Sequence, residues 1–310
     1  YVQGVIAQFD RRGVRCPGLD VAVVSSVPPG GGLSSSAALE LAAVHLLEVV
    51  TGQILTPAER IQASVQAERE MSGVPCGIMD QTVVELAESW QALLLDCADQ
   101  TVRSIPLGSQ APALLVIHSG VSHSLAEGAY AQRRAECEQA SALLRVNSLR
   151  NVGPDQLARL KGEMVLHQRA THVVSENERV HDAVAAIEQD RWDQLGVLMR
   201  ASHRSLRDDY EVSCPELDLL TELATAERGV YGARMVGGGF GGCVIVLVET
   251  DQLDAVADSI SIQYDDRIGW APGCYRVQAS AGAREICRPM TDSSSQHLHR
   301  RRNALTGEWV

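Results

Sequence analysis

Two glycine clusters constrain this chain more than any other feature: Gly30-Gly31-Gly32 within PPGGGLSSSAALE, and VGGGFGGC, where Gly237 to Gly242 place five glycines in six positions. Clustered glycines are useful where the backbone must adopt positive φ or where another group must approach the main chain closely. The first cluster follows Val21 to Val27 (VAVVSSV), which reads as a buried strand. It precedes Leu39, Ala42, Ala43, Leu46 and Val50, which recur at helical spacing until Gly52 supplies a stop. The loop therefore heads a helix, where the first N–H groups lack intrahelical partners and carry the positive end of the dipole. Phosphate is the natural guest there, and a serine-capped strand-to-helix turn is the plainer alternative. The spacing is neither that of a lysine-containing phosphate loop nor that of a dinucleotide fingerprint.

Composition narrows the ligand. The 310 residues carry a formal net charge of −12, which argues against nucleic-acid and anionic-membrane partners, and Lys161 is the single lysine. A phosphate site here must work without a loop lysine. The eight cysteines are scattered singly, which suggests neither a zinc site nor a disulfide framework, so a reducing cytoplasm is the simplest setting. No apolar run approaches membrane-spanning length. The chain begins with Tyr1 rather than methionine, and a missing N-terminal portion is expected.

Along the chain, strand and helix patterns alternate. Thr56-Pro57-Ala58-Glu59 announces a capped helix, Trp90 to Cys97 and Thr101 to Ile105 read as paired strands, and Leu114 to His118 begins another. Helical patterns fill roughly 128 to 228, and Val244 to Val248 and Tyr275 to Ala279 return to strand. The pattern is mixed α and β with its best boundary near 110.

Three further features can carry chemistry. Glu68 shares a helical stripe with Ala58, Ile61 and Val65, so its carboxylate should be buried and needs an ion-pair partner or a metal ion. Ser36 and Glu68 are candidate Mg²⁺ ligands, with a structural ion pair as the alternative for Glu68. Asp80 follows a Gly/Pro-constrained turn and is either a helix cap or a general base. The second glycine cluster marks close backbone approach, either to a ligand or to another loop. The nine histidines read as structural or exposed.

PPGGGLSSSAALE, GVPCGIMDQ and RMVGGGFGGC, in this order, resemble the motifs of the GHMP small-molecule kinases, with the aspartate motif of the galactokinase type. The likeness extends through YAQRRAEC, HVVSEN and SHRSLRDDYEVS and covers about residues 1 to 287. It implies an α/β and α+β, two-domain GHMP kinase fold. Residues 1–110 would form a truncated N-terminal domain like ribosomal protein S5 domain 2, 111–287 a ferredoxin-like C-terminal domain, and 288–310 a foreign or disordered tail.

The resemblance also implies chemistry: ATP-dependent phosphorylation of the C1 hydroxyl of D-galactose. Gly30, Gly31, Gly32, Leu33, Ser34, Ser35 and Ser36 would wrap the ATP phosphates, Ser36 and Glu68 would hold Mg²⁺, and Asp80 would accept the hydroxyl proton. Tyr130, Gly238 and Gly239 would lie at the sugar. A non-catalytic galactose and ATP-binding regulator, or an N-acetylgalactosamine kinase, is the alternative. The family's opening signature, roughly GRVNLIGEHTDY, is absent from these 310 residues, so the chain alone is expected to phosphorylate galactose negligibly. The segment from His297 to Val310 resembles the start of galactose-1-phosphate uridylyltransferase and suggests a functional link to it.

Overall fold

The computed structural model describes residues 1–28, 30–73, 76–122 and 126–286; the tail from 288 and its transferase-like segment lie outside them, as do Val74 and Pro75 of the Asp80 motif. The chain divides into two compact units. Of the described residues, the first takes in 1–28, 33–104 and 278–286, and the second 30–32 and 105–277.

The first unit contains α1 (Val2–Arg11), α2 (Ser35–Thr51), α3 (Pro57–Ser72), α4 (Met79–Leu86), β1 (Gln91–Leu95) and most of β2 (Val102–Pro106). Local chemistry sets the helix ends. Thr56 and Glu59 form a reciprocal capping box at the head of α3 with Pro57 behind it, and Gly52 and Gly73 close α2 and α3 in left-handed conformations. Val5 and Phe9 of α1 are fully buried against Ala43, Val44 and Leu47 of α2 and Ala63 and Ala67 of α3. Each such large apolar side chain contributes roughly 1.5–3 kcal/mol by leaving water. Arg60 binds Glu48 through Nε at 3.0 Å and Glu85 through Nη1 at 2.6 Å, which ties α2, α3 and α4 through one guanidinium. The return segment donates Gly282 N to Ala87 O and Ala283 N to Val84 O, both at 2.7 Å.

The strand expected over Val21 to Val27 does not form. Residues 14–26 have no regular secondary structure, and Val21, Val23 and Val24 are 52%, 61% and 69% exposed. A strand exists only through pairing, and the sheet described in this unit is the two-stranded β1–β2 hairpin, which leaves that run without a ladder. The expected pairing of residues 90–97 with 101–105 is present, turning through Gln100 at φ 61°.

The second unit runs β3 (Ala113–Ser122), α5 (Ala126–Leu144), α6 (Pro154–Leu157), α7 (Met164–Glu188), α8 (Trp192–Asp208), α9 (Pro215–Ala226), β4 (Val230–Met235), β5 (Gly241–Val248), α10 (Leu253–Ile268) and β6 (Gly273–Val277). Its sheet has the order β4-β5-β3-β6 and is antiparallel throughout, with Val116 opposite Ile245 on one side and Tyr275 on the other. This is the split β-α-β arrangement of a ferredoxin-like domain. β5 is buried along almost its whole length, which explains its uninterrupted apolar run. A core of Leu115, Ile117, Leu217, Leu220, Met235, Val246 and Ile260 fills the space beside the sheet, and Ala140, Leu144, Leu160 and Ala170 form a second core between α5 and α7.

Candidate active site

In the second unit the two glycine clusters meet backbone to backbone. A Cβ added to Gly237 would stand 2.6 Å from Gly32 Cα, one on Gly32 would stand 3.0 Å from Gly237 Cα, and one on Gly242 would stand 3.0 Å from Gly31 O. Gly31 itself leaves room for the His118 ring and the Cys243 sulfur, at 3.0 and 3.2 Å from the same imagined carbon. Positive φ at Gly30, Gly32, Gly237, Gly239 and Gly242 reinforces the requirement. Loop-on-loop packing, the plainer reading of the second cluster, therefore accounts for Gly237, Gly239 and Gly242. Gly239 is further pressed against Val212 O, to which Phe240 N donates at 2.8 Å. Gly238 differs: it is exposed, and nothing lies within 4 Å of an added Cβ. Tyr130 stands on α5 with 41% of its surface exposed.

In the first unit the chemistry gathers around the start of α4. Ser34 caps α2 with φ 56°, a left-handed conformation rare for serine, and its hydroxyl bonds the Asp80 carboxylate. Ser35 and Ser36 form the first turn of α2 and are half-buried, as is Leu33 before them. Asp80 is not the cap of its helix; Ile78 occupies that position, and Asp80 lies in the first turn. Burial pushes its carboxyl above the usual aspartate range, the nearby Glu68 charge adds to the rise, and the Ser34 hydroxyl opposes it.

Glu68 is half-buried rather than buried, and the stripe it was placed on begins at Ile61, since Ala58 is exposed. Its Oε2 accepts from Gln81 Nε2 at 2.6 Å, and it also receives the Cys76 thiol, whose pKa rises to about 11 through burial and that neighbouring charge. The same Gln81 nitrogen lies 3.2 Å from Oε2 of Glu40, which is fully buried and pushed up to about 8, chiefly by burial. Glu40 and Gln81 went unrecognised in the sequence. The available signals were positional: Glu40 lies one helical turn after Ser36, and Gln81 directly follows Asp80.

The donor set fits a phosphate-bound divalent cation. Among the described residues no group of three or more His, Cys, Asp and Glu side chains is arranged to hold a metal by itself. A cation held chiefly by phosphate oxygens and water needs only one or two protein oxygens, which the Glu68 carboxylate and the Ser36 hydroxyl would supply. The donors are all oxygen, and the neighbouring Glu40 Oε1 and Gln81 Oε1 are buried without a hydrogen-bond partner among the described residues.

Comparison with known proteins assigns the family. The GHMP kinases N terminal domain matches residues 1–88, and the GHMP kinases C terminal domain matches 183–266. The human galactokinase is 43% identical over 290 residues, which is 93% of this chain and 72% of the human protein. The chain belongs to the galactokinase family. Within that family the Thermotoga maritima galactokinase is 38% identical over 92% of this chain and 81% of its own length. The crystal structure of Lactococcus lactis galactokinase complexed with galactose superposes with a TM-score of 0.85 at 31% identity, covering 92% of this galactokinase-family chain and 76% of that one. The chain is thus a kinase with the GHMP N- and C-terminal domains. No described helix is long and apolar enough to cross a membrane.

Proposed function

We propose that this chain transfers the γ-phosphoryl group of ATP to the C1 hydroxyl of D-galactose, with Asp80 as general base. The observation that carries this reading is the galactokinase-type aspartate, part of a match extending over nine-tenths of the chain, in a half-buried site that raises its pKa. A raised pKa makes the carboxylate a stronger base, and the Ser34 hydroxyl orients it. Gly30 to Ser36 offer backbone N–H groups and hydroxyls to the phosphates at the head of α2, which supplies the role of the absent loop lysine. Ser36 and Glu68 hold Mg²⁺, which when bound neutralises charge on the transferring group. Gly238, open above its loop, and exposed Tyr130 are the sugar-side contacts.

The scattered cysteines support a reducing cytoplasm as the setting, and the transferase-like residues from His297 support a functional link to the uridylyltransferase that consumes galactose 1-phosphate. The experiment is ³¹P NMR of ATP, Mg²⁺ and galactose incubated with the protein, in which galactose 1-phosphate should accumulate. Binding of both substrates without transfer would favour a sugar-sensing regulator, and preference for N-acetylgalactosamine would reassign the acceptor.

A further inference from the structure

Gln81 bridges the carboxyl groups of glutamates on two other helices. Its Nε2 lies 2.6 Å from Glu68 Oε2 on α3 and 3.2 Å from Glu40 Oε2 on α2. An amide nitrogen has two protons, enough to serve both oxygens. Gln81 is 1% exposed and Glu40 is fully buried, so this bridge cannot be replaced by bulk water. A glutamine retained only for packing would be expected to satisfy both ends of its amide, because buried polar groups are almost always paired. Its Oε1 has no partner among the described residues, and neither has Glu40 Oε1. The amide is thus spent on its donor end alone.

The consequence falls on Glu68. A glutamate side chain has a freely turning terminal bond, and a half-buried carboxylate would sample several orientations. The short bond from the buried Gln81 amide, together with the Cys76 thiol, limits that freedom. We propose that Gln81 is a positioning residue for the cation site: anchored on Glu40, it holds Oε2 of Glu68 and fixes the rotation of that carboxylate before nucleotide arrives. The proposal rests on the reading of Glu68 as a Mg²⁺ ligand. It also couples two functions in one helical turn, since Gln81 directly follows Asp80 on α4. Outer partners of ligating carboxylates commonly matter nearly as much as the ligands themselves.

The test is calorimetric titration of the 310-residue chain with a non-hydrolysable ATP analogue across a series of Mg²⁺ concentrations and in EDTA. Parent, Gln81→Met, Gln81→Asn and Glu68→Gln are compared, each with a thermal melt. Gln81→Met removes the amide while keeping its length, and Gln81→Asn keeps an amide too short to span both carboxyl groups. Each should weaken the Mg²⁺-dependent binding by about tenfold or more while leaving metal-free binding at the parental value. Should Gln81→Met melt early, Gln81→Asn carries the comparison.

If Glu68→Gln shifts the Mg²⁺ dependence and both Gln81 variants keep the parental dependence, the positioning role is overturned and the ligand reading stands. If Glu68→Gln itself changes nothing, the ligand reading falls and takes the proposal with it. Equal weakening with and without Mg²⁺ in the Gln81 variants would also overturn it, because that marks a general loosening of the unit.

Discussion

Gly32 and Gly237 approach so closely that a Cβ on Gly237 would lie 2.6 Å from the Cα of Gly32, with Gly237 at φ 75°. Gly237→Ala must therefore push one loop away from the other and hold alanine in a left-handed conformation. The conformational term alone is ~1–2 kcal/mol, and overpacking adds ~1–3 kcal/mol. Urea denaturation should show a loss of about 2 kcal/mol or more at Gly237, while Gly238→Ala, which meets nothing within 4 Å, should stay within about 0.5 kcal/mol of the parent. Equal stability of the two variants would contradict the backbone contact.

Helix α8 offers a test in which two effects have opposite signs. Gly196 lies within it, and helix propensity alone would make Gly196→Ala stabilising by about 1 kcal/mol. An added Cβ there would collide with the Tyr231 carbonyl of β4, and Gly232 of the same strand has equally little room. The account predicts net destabilisation of at least about 1–3 kcal/mol, read as a lowered midpoint in denaturant. A raised midpoint would mean that α8 does not rest on β4 in this way.

The contrast between these glycines shows what could be read beforehand. The helix boundaries at Gly52 and at Thr56 to Glu59 were legible because capping is local chemistry, written in adjacent residues. The Asp80 motif was legible through its likeness to a family. Val21 to Val27 misled because β-propensity describes a willingness to pair and carries no information about whether a partner strand is present. Gly196 and Gly232 gave no signal, since an isolated glycine inside a helix or strand looks the same whether or not a backbone presses on it from far along the chain. The Glu40, Gln81 and Glu68 cluster was hidden for a similar reason: three helices bring it together, and the periodicity of each helix was read separately.

Glu40 makes stability depend on pH in a calculable direction. Its folded pKa of about 8 lies above the ordinary glutamate value, so the folded chain keeps a proton that the unfolded chain releases. Its contribution is fully present below the ordinary value and is lost as pH rises to about 8. Between pH 5 and 8 the parent should lose stability relative to Glu40→Gln, with a limiting slope of about 1.4 kcal/mol per pH unit for one proton. Gln81 keeps an acceptor in the variant. Denaturant midpoints for both proteins at pH 5, 6, 7 and 8 measure this, and parallel curves would show that Glu40 is ionised in the folded chain.

The central claim is that Asp80 takes the proton from the sugar hydroxyl, and single-turnover transfer from ATP to galactose tests it most directly. The comparison uses the protein with Asp80 and with Asp80→Asn, which keeps the side chain's size and can still meet the Ser34 hydroxyl. The account predicts a rate at least ~10²-fold lower in the variant, with MgATP affinity retained. It also predicts that the parent rate falls as acidification protonates Asp80, beginning above the usual aspartate range because burial raises its pKa. Transfer by Asp80→Asn within a few-fold of the parent, with an unchanged pH profile, would contradict it.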